Sequence, residues 1–355
     1  MRNNDKKPMT KKKKIILSVV VVLLVLVLAA LIAGIIIYNR LLNNLNRFDN
    51  TGTTSPIDAI QSTEETAPPT TLDPYDFDTM FPGEEPIGGE VINIMLVGQD
   101  TRDVENRGLA DTMILISVNP ENKKLVMTSF IRDLYIDIVD TDWRSRERLN
   151  TAYCTGGIER LKSTLAYNFG VEVDNFVEVN FEVFTRIVDI LGGVDIEMTK
   201  EEADYLNGEI TLSRGEWSLQ EGINHLTGEQ ALSFARIRAI DNDFNRTARQ
   251  RYMITELLKL VQSLGIGDMI NLAEELLPMV TTDMTNKEIT KYIIQIAPML
   301  KKLEIVSLRV PMDTTWTGKN VGTEEEPKYV IECFDLKANR DMIREAIGMK
   351  DETIE

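Results

Sequence analysis

The sequence predicts an α/β fold in which helices flank a mixed central β-sheet on both faces, preceded by one N-terminal transmembrane helix. Short apolar runs bounded by turn residues alternate with longer stretches whose apolar residues recur at helical spacing. Some predicted strands are joined by hairpin-length turns and others by helical crossovers, so the sheet must contain both antiparallel and parallel neighbours.

The N-terminal segment differs from the rest of the chain. The chain carries 39 Lys+Arg and 56 Asp+Glu, a net charge of -17, which argues against nucleic-acid binding because that affinity depends on positive charge. Residues 15–38, IILSVVVVLLVLVLAALIAGIIIY, are almost continuously apolar and long enough to span a bilayer. A cleavable signal peptide is the alternative, but its apolar core is shorter, at about 7 to 15 residues.

The distribution of basic residues orients the predicted span. Seven basic residues lie within residues 1–14 and few follow the span, so the positive-inside rule predicts a cytoplasmic tail at 1–14 and a signal-anchor helix at 15–38. Residues 39–89, rich in Thr, Pro, Asp and Glu, are typical of a flexible extracytoplasmic linker. Residues 90–355 are then the folded domain, and we expect a single-pass cell-membrane protein whose domain lies outside the cytoplasm.

The first strands of this domain are predicted at 91–97, 112–118 and 124–130, with a turn at 119–123. If each strand is antiparallel to the next, the end of the first, the start of the second and the end of the third share one sheet edge. The charged residues at these three points are Asp100, Arg102, Asp111, Arg132 and Asp133. The sequence therefore predicts a charged site at this edge.

Further elements follow the same two periodicities. Apolar runs predict strands at 175–179, after the Gly192-Gly193 turn, at 303–310 and at 328–334. Helical spacing predicts helices at 157–169, 182–191, 228–237, 244–264, 268–279, 286–302 and 336–347. This alternation is the basis for helices on both faces of the sheet.

Residues 233–251, SFARIRAIDNDFNRTARQR, contain five arginines and no lysine. Guanidinium groups match phosphate oxygens with two hydrogen bonds at once, so this composition favours phosphate binding. On a helix, Arg246 shares a face with Arg249 and Gln250, whereas Arg251 is expected at the surface. The alternative is an exposed helix whose arginines pair with nearby acids.

Metal and nucleophile candidates are few. Asp100 and Asp111 at one edge suit a divalent ion such as Mg²⁺, although either residue alone is as consistent with a turn cap. His225 is the only histidine, and with no evident orienting partner it is expected at the surface rather than as a base. Cys154 and Cys333 are interpreted as structural, with a disulfide allowed but not required.

Six motifs follow one another in a specific order: LVGQDTR, ADTMILISVNPENKKLVMTSFIRD, LNTAY with GG, IVDILGGVDI, LTGEQALSFARIR and DFNRTARQR. In this order they resemble the LytR-CpsA-Psr (LCP) family over about residues 92–251. The resemblance implies an enzyme of Gram-positive-type bacteria that transfers an anionic glycopolymer, such as teichoic acid or capsule, from a polyprenyl pyrophosphate carrier to a peptidoglycan sugar hydroxyl.

The resemblance also implies roles for individual residues. Asp100 and Asp111 would hold Mg²⁺ or Mn²⁺. The catalytic residues would be Arg132, Arg236, Arg238 and Asp243. The residues expected to bind pyrophosphate are Arg102, Arg132, Arg236, Arg238, Arg246, Arg249 and Gln250. Two alternatives use the same residues: a non-catalytic polyprenyl-phosphate-binding regulator of envelope assembly, and a lipid pyrophosphatase.

Overall fold

The computed structural model describes residues 46–47, 86–99, 110–140, 144–214, 217–264, 275, 280–296, 299–323 and 326–349. The expected cytoplasmic tail, the transmembrane span and most of the linker lie outside these residues, as do Asp100, Arg102 and most of the helix expected at 268–279. None of the helices within the described ranges combines the length and apolar character needed to cross a membrane.

Strands and helices alternate along the described chain. The strands are β1 (Asn46–Arg47), β2 (Ile92–Gln99), β3 (Ala110–Asn119), β4 (Lys124–Phe130), β5 (Leu134–Val139), β6 (Arg144–Arg148), β7 (Asn175–Asn180), β8 (Val194–Met198), β9 (Gly222–Leu226), β10 (Thr281–Thr282), β11 (Glu304–Val310), β12 (Trp316–Gly322) and β13 (Pro327–Cys333). The helices are α1 (Leu149–Phe169), α2 (Phe181–Ile190), α3 (Lys200–Arg214), α4 (Gly228–Ala235), α5 (Asp243–Ser263), α6 (Asn286–Ile296) and α7 (Leu336–Ile347), with a 3-10 turn at Leu300–Lys302.

The central sheet is mixed, as the sequence predicts. Its strand order is β1-β10-β7-β2-β3-β4-β11. β2 is antiparallel to β3, and β3 is antiparallel to β4, whereas β7 runs parallel to β2 and β11 runs parallel to β4. The C-terminal ends of β2, β4, β7 and β11 therefore meet the N-terminal end of β3 at one edge of the sheet.

Helices cover both faces of this sheet, which confirms the expected layers. Alternate residues of β3 enter different cores, since Met113 and Leu115 belong to one buried cluster and Ile114 to the other. The first cluster includes residues of α1 and α7. In the second, side chains of α5 and α6 pack against β2, β3 and β4.

Two strands outside the central sheet, β6 and β12, carry no clear signal in the sequence. β12, β13, β5 and β6 form a four-stranded sheet, and β8 pairs with β9 in a two-stranded ribbon. β6 (RSRER) and β12 (WTGKNVG) are polar edge strands, so apolar alternation, the main sign of a strand, is missing from them. Pairing with β5 and β13, rather than local propensity, specifies these strands.

Helix boundaries follow capping side chains. The side chains of Asn180, Thr227 and Asn242 each accept a hydrogen bond from the backbone three residues later, at the starts of α2, α4 and α5. α1 begins at residue 149 rather than at the expected 157. Gly157 interrupts this helix with φ 64° and ψ -153°. The helical pattern after that glycine was the part detectable in the sequence.

Gly228, the first residue of α4, packs directly against the backbone of α2. A Cβ atom at this position would lie 2.1 Å from the carbonyl oxygen of Thr185. We predict that Gly228→Ala lowers the free energy of unfolding by about 1–3 kcal/mol in urea denaturation, since the helices must separate to admit it.

Gly208 in α3 provides the matched control, because nothing lies within 4 Å of a Cβ added there. Gly208→Ala should raise the free energy of unfolding by about 0.5–1 kcal/mol through its helix propensity. Equal effects of the two substitutions would contradict the packing of α4 on α2.

Candidate functional site

A β-bulge places Asp111 at the sheet edge. Gly98 of β2 lies opposite Thr112, but Gln99 lies opposite Ala110, so Asp111 has no cross-strand partner. A bulge bends its strand and changes the direction of the extra side chain. The Asp111 carboxylate is thereby brought against the guanidinium groups that follow β4 and precede α5.

Arg132 lies in the short connection from β4 to β5. Its Nη1 donates to Asp111 Oδ1 at 2.8 Å and its Nε donates to Asp133 Oδ2 at 3.2 Å. Asp133 also accepts from Arg148 Nη1 at 3.1 Å. Arg132 is therefore fixed between two carboxylates. The sequence alone assigned no role to Asp133 or Arg148. For Asp133, its position directly after Arg132 was a signal in the sequence.

Asp243, the first residue of α5, connects three guanidinium groups. Its Oδ1 lies 2.7 Å from Arg246 Nη2, 3.3 Å from Arg238 Nη2 and 3.8 Å from Arg132 Nε. Arg246 Nη2 also donates to the backbone carbonyl of Asp111 at 3.2 Å. We call Asp111, Arg132, Arg238, Asp243 and Arg246 the charged cradle.

Burial shifts the protonation equilibria of the charged cradle. Burial raises the pKa of Asp243 to about 6, against the opposing effect of Arg132 and Arg238. Burial alone would lower the pKa of Arg132, but its hydrogen bond to Asp111 and the charges of Asp133 and Asp243 raise that pKa above the ordinary value. Arg132 therefore stays charged, and Asp243 titrates at a pH of about 6.

Several polar atoms at the charged cradle are buried without a hydrogen-bond partner. They are Nε of Arg238, Nε of Arg246, Oδ2 of Asp243 and Oε1 of Gln250. Gln250 lies one helical turn after Arg246 on the same face of α5. Unsatisfied donors suit an oxyanion, and an unsatisfied carboxylate oxygen can accept a proton. The arrangement therefore has the chemistry needed to bind a phosphate and to deprotonate a hydroxyl group.

The structure does not place every expected arginine in the charged cradle. Arg249, expected to bind pyrophosphate, is buried and makes ion pairs with Glu202 and Asp241, while its Nη1 donates to the carbonyl of Ile237. These contacts use its guanidinium to join α3 and α5 to the loop before α5. The structure therefore does not bring Arg249 into the charged cradle, and its phosphate role stays a prediction.

Two more arginines depart from their expected places. Arg236, the C-cap of α4, is exposed, and its guanidinium lies 4.2 Å above the Phe181 ring. Phe181 follows directly after β7, so Arg236 lies at the same sheet edge. Arg251, expected at the surface, is instead half-buried beside Arg309. Arg251 lies on the face of α5 that packs on the sheet. Residue spacing within one helix cannot reveal which face meets the sheet.

The donor set around Asp111 limits how a divalent ion could bind. Asp111 is partly exposed, and its described contacts to Arg132, Arg238 and Arg246 all fall on Oδ1. Within the described ranges, no group of three or more potential metal ligands occurs. One carboxylate among three arginines fits Mg²⁺ only if phosphate oxygens supply the remaining ligands and the negative charge.

The other candidates lie elsewhere. His225 is exposed, and its ring nitrogens contact Asp195 Oδ1 at 2.7 Å and the Gly192 carbonyl at 2.9 Å, which raises its pKa. It does have a carboxylate partner, but the pair belongs to the β8–β9 ribbon. Cys154 and Cys333 are both free thiols.

The chain is similar to known sequences over much of its length. The model of the LytR_cpsA_psr family matches residues 58–330. The chain is 33% identical over 199 residues to the polyisoprenyl-teichoic acid–peptidoglycan teichoic acid transferase TagU of Bacillus anthracis, covering 53% of this chain and 60% of that relative. It is 28% identical over 280 residues to Biofilm regulatory protein A of Streptococcus mutans, covering 74% of this chain and 65% of that relative.

Solved structures share the fold. TagV of B. subtilis superposes with a TM-score of 0.58 at 22% identity, covering 75% of this chain and 100% of that chain. TagT bound to LIIa-WTA superposes with a TM-score of 0.57 at 22% identity, covering 75% of this chain and 98% of that chain. The mixed sheet with helices is therefore the architecture of these proteins as well.

The raised pKa of Asp243 predicts a pH-dependent cost to stability. Its folded pKa of about 6 exceeds the reference value of 3.8, so its stabilising contribution is complete below pH 3.8 and is lost as the pH rises through 6. Between pH 4 and pH 7, we predict that wild type loses up to about 3 kcal/mol of unfolding free energy relative to Asp243→Asn.

Urea denaturation at each pH measures this difference. The exposed Asp204→Asn variant serves as the control and should follow the wild type. Parallel stability curves for wild type and Asp243→Asn would show that burial of this carboxylate has no such effect.

Proposed function

The chain belongs to the LytR_cpsA_psr family, and we propose that it is a membrane-anchored phosphotransferase. Its donor would be an anionic glycopolymer, of the teichoic acid or capsular type, on a polyprenyl pyrophosphate carrier. Its acceptor would be a sugar hydroxyl of peptidoglycan. TagU, the relative named above, is described as a transferase of teichoic acid from a polyisoprenyl carrier to peptidoglycan, which supports this choice of substrates.

The observation that carries the proposal is the charged cradle with its unsatisfied atoms. Three guanidinium groups from separate parts of the chain meet at Asp243. Buried donors on Arg238 and Arg246 have no partner. A diphosphate supplies both the acceptor oxygens and the negative charge that such a group of arginines favours.

In the proposed reaction, Arg132, Arg238 and Arg246 bind the diphosphate, and Gln250 offers its amide to a phosphate oxygen. The acceptor hydroxyl oxygen forms a new bond to the phosphorus that carries the glycopolymer, and the anhydride bond to the carrier phosphate breaks. Asp243 Oδ2, buried without a partner, takes the hydroxyl proton. The products are a phosphodiester and the polyprenyl monophosphate.

Asp100, Arg236 and Arg102 complete the proposed site. Asp111, together with Asp100, would hold Mg²⁺ or Mn²⁺, which would neutralise charge on the phosphate oxygens when bound. Arg236 lies at the same sheet edge on the Phe181 ring, where it can reach a substrate that extends beyond the charged cradle. Arg102 remains a proposed contact of the diphosphate.

The carrier tail needs an apolar surface near the charged cradle. Ile94, Leu96 and Ile116 of the sheet are only partly buried, as are Ile254 and Leu258 of α5, which face them. We propose that the tail lies between these two surfaces. The anchor at residues 15–38 and the linker at 39–89 would hold the domain near the outer face of the membrane that contains the carrier.

Replacing Arg132 by Met should lower turnover by on the order of 100-fold, because one charged donor to the transferring phosphate is lost. The assay combines the full chain in detergent, a polyprenyl pyrophosphate-linked teichoic acid and peptidoglycan oligosaccharides, with mass spectrometry of the product. Arg186→Met is the matched control, since Arg186 is exposed and pairs with Glu275 outside the charged cradle.

The same assay separates the alternative functions. Release of free glycopolymer phosphate would identify a pyrophosphatase, because water rather than sugar then attacks. Binding without turnover would identify a regulator. Unchanged turnover in Arg132→Met would exclude the charged cradle as the reaction site.

Removal of divalent ions should abolish transfer without unfolding the protein. We predict background turnover in EDTA, recovery with Mg²⁺ or Mn²⁺, and a constant thermal unfolding midpoint, because apolar packing on both sheet faces stabilises the fold. Full turnover in EDTA would show that the arginines alone neutralise the diphosphate.

A further inference from the structure

Beside the charged cradle, Arg251 places a positive charge in a buried position without a carboxylate partner. Its Nε and Nη1 atoms are inaccessible to solvent and have no hydrogen-bond partner. Burial, together with repulsion by Arg309, lowers the pKa of Arg251 to about 10. Within the described part of the chain, its charged neighbour therefore has the same sign.

Arg309 reaches this position from the neighbouring strand of the sheet. Its guanidinium lies 4.2 Å above the ring of Phe244. Phe244 and Arg251 are seven residues apart on α5, and two helical turns place them on one face. Arg309 also donates to the Pro311 carbonyl at 3.1 Å and pairs with Asp313, whose side chain is 87% exposed. Asp313 therefore pairs with Arg309 from the exposed side, whereas Arg251 has no carboxylate partner among the described residues.

Ser129 adds a third group with unused hydrogen-bonding capacity. It lies directly beside Arg309 in the parallel pairing of β4 with β11, so the two side chains project from the same face of the sheet. Ser129 is 1% exposed, and its Oγ has no hydrogen-bond partner. A hydroxyl donor and two guanidinium groups thus lie together on the face covered by α5.

Two adjacent, partly buried cations are unfavourable unless an anion lies between them. Desolvation penalises each charge, and their mutual repulsion adds to that penalty in an environment of low dielectric constant. Buried polar atoms in native proteins almost always have partners, so the three unpaired atoms of Arg251 and Ser129, two residues that each neighbour Arg309, point to a missing ligand. A ligand with several acceptor oxygens and a negative charge satisfies all of them.

We propose that Arg251, Arg309 and Ser129 form a second phosphate-binding subsite, distinct from the charged cradle. The ligand is a tetrahedral phosphate group. The site itself follows from these three residues alone, whereas its natural ligand rests on the proposed function, because both the carrier and the polymer of that donor contain phosphate. Ser129 and Arg309 each lie one residue before the end of their strands, at the same sheet edge as the charged cradle. A substrate with more than one phosphate group can therefore contact both sites.

The thermal unfolding midpoint of the full chain in detergent tests this subsite. In chloride buffer, Arg251→Met should unfold about 2 °C or more above wild type, since an uncompensated buried charge is removed. Inorganic phosphate at constant ionic strength should raise the wild-type midpoint, and Arg251→Met should lose at least half of that rise. Arg186→Met, which replaces an exposed arginine, should respond to phosphate as wild type does.

A phosphate response in Arg251→Met equal to that of wild type overturns the proposal. If Arg251→Met does not fold, Arg309→Met carries the same expectation of a reduced phosphate response, and an unreduced response overturns the proposal equally. Arg246→Met, which disrupts the charged cradle, should retain the part of the response that depends on Arg251. Absence of transfer activity in the wild type, with an intact Arg251-dependent response, would refute the proposed function and leave the subsite standing.

Two further probes identify the natural source of the phosphate. Geranyl diphosphate represents the carrier, and a glycerol phosphate trimer represents the polymer. For one probe, the dissociation constant should rise about tenfold or more in Arg251→Met, a loss of about 1.4 kcal/mol. That probe represents the source of phosphate that the subsite contacts. No change for either probe would contradict a role for this subsite with the proposed donor.

Discussion

Three guanidinium groups can lie side by side in this protein only because carboxylates separate them. Asp243 contacts Arg132, Arg238 and Arg246 through a single oxygen, and Asp111 closes the group from the sheet edge. Removing either carboxylate would leave adjacent positive charges, one of them on the buried Arg246, with less counter-charge than in the intact arrangement. The positions of the donors proposed to bind phosphate therefore depend on these two acids.

The central sheet supplies the second constraint, because it brings these acids together from distant parts of the chain. Antiparallel pairing of β2, β3 and β4 places Asp111 next to the segment after β4, and the bulge aims its side chain. A slip of one residue would turn every side chain of β3 to the opposite face. In β3, such a slip would exchange the side chains that fill two different cores, so the same packing that stabilises the sheet also fixes the site.

The sequence was most informative where one periodicity dominated. Apolar runs located β2, β3 and β4, and their pairing at one edge correctly grouped Asp111 with Arg132. The sequence did not show that Arg249 lies outside the charged cradle, and the surface position expected for Arg251 was wrong, because helical spacing shows which residues share a face but not which face meets the sheet. The polar edge strands β6 and β12 were missed for a related reason, since their conformation comes from pairing partners distant in sequence. The charges of Asp243 and Arg251 also cost stability, because burial raises the pKa of Asp243 and lowers that of Arg251. Such shifts are expected of residues at a binding site rather than of residues that only stabilise the fold.

A crystal structure of the protein with farnesyl diphosphate and Mn²⁺ would test the central claim most directly. The account predicts both phosphorus atoms within reach of Arg132, Arg238 and Arg246, with anomalous manganese density beside Asp111. A diphosphate bound elsewhere, with the arginines still paired only to Asp111 and Asp243, would contradict it.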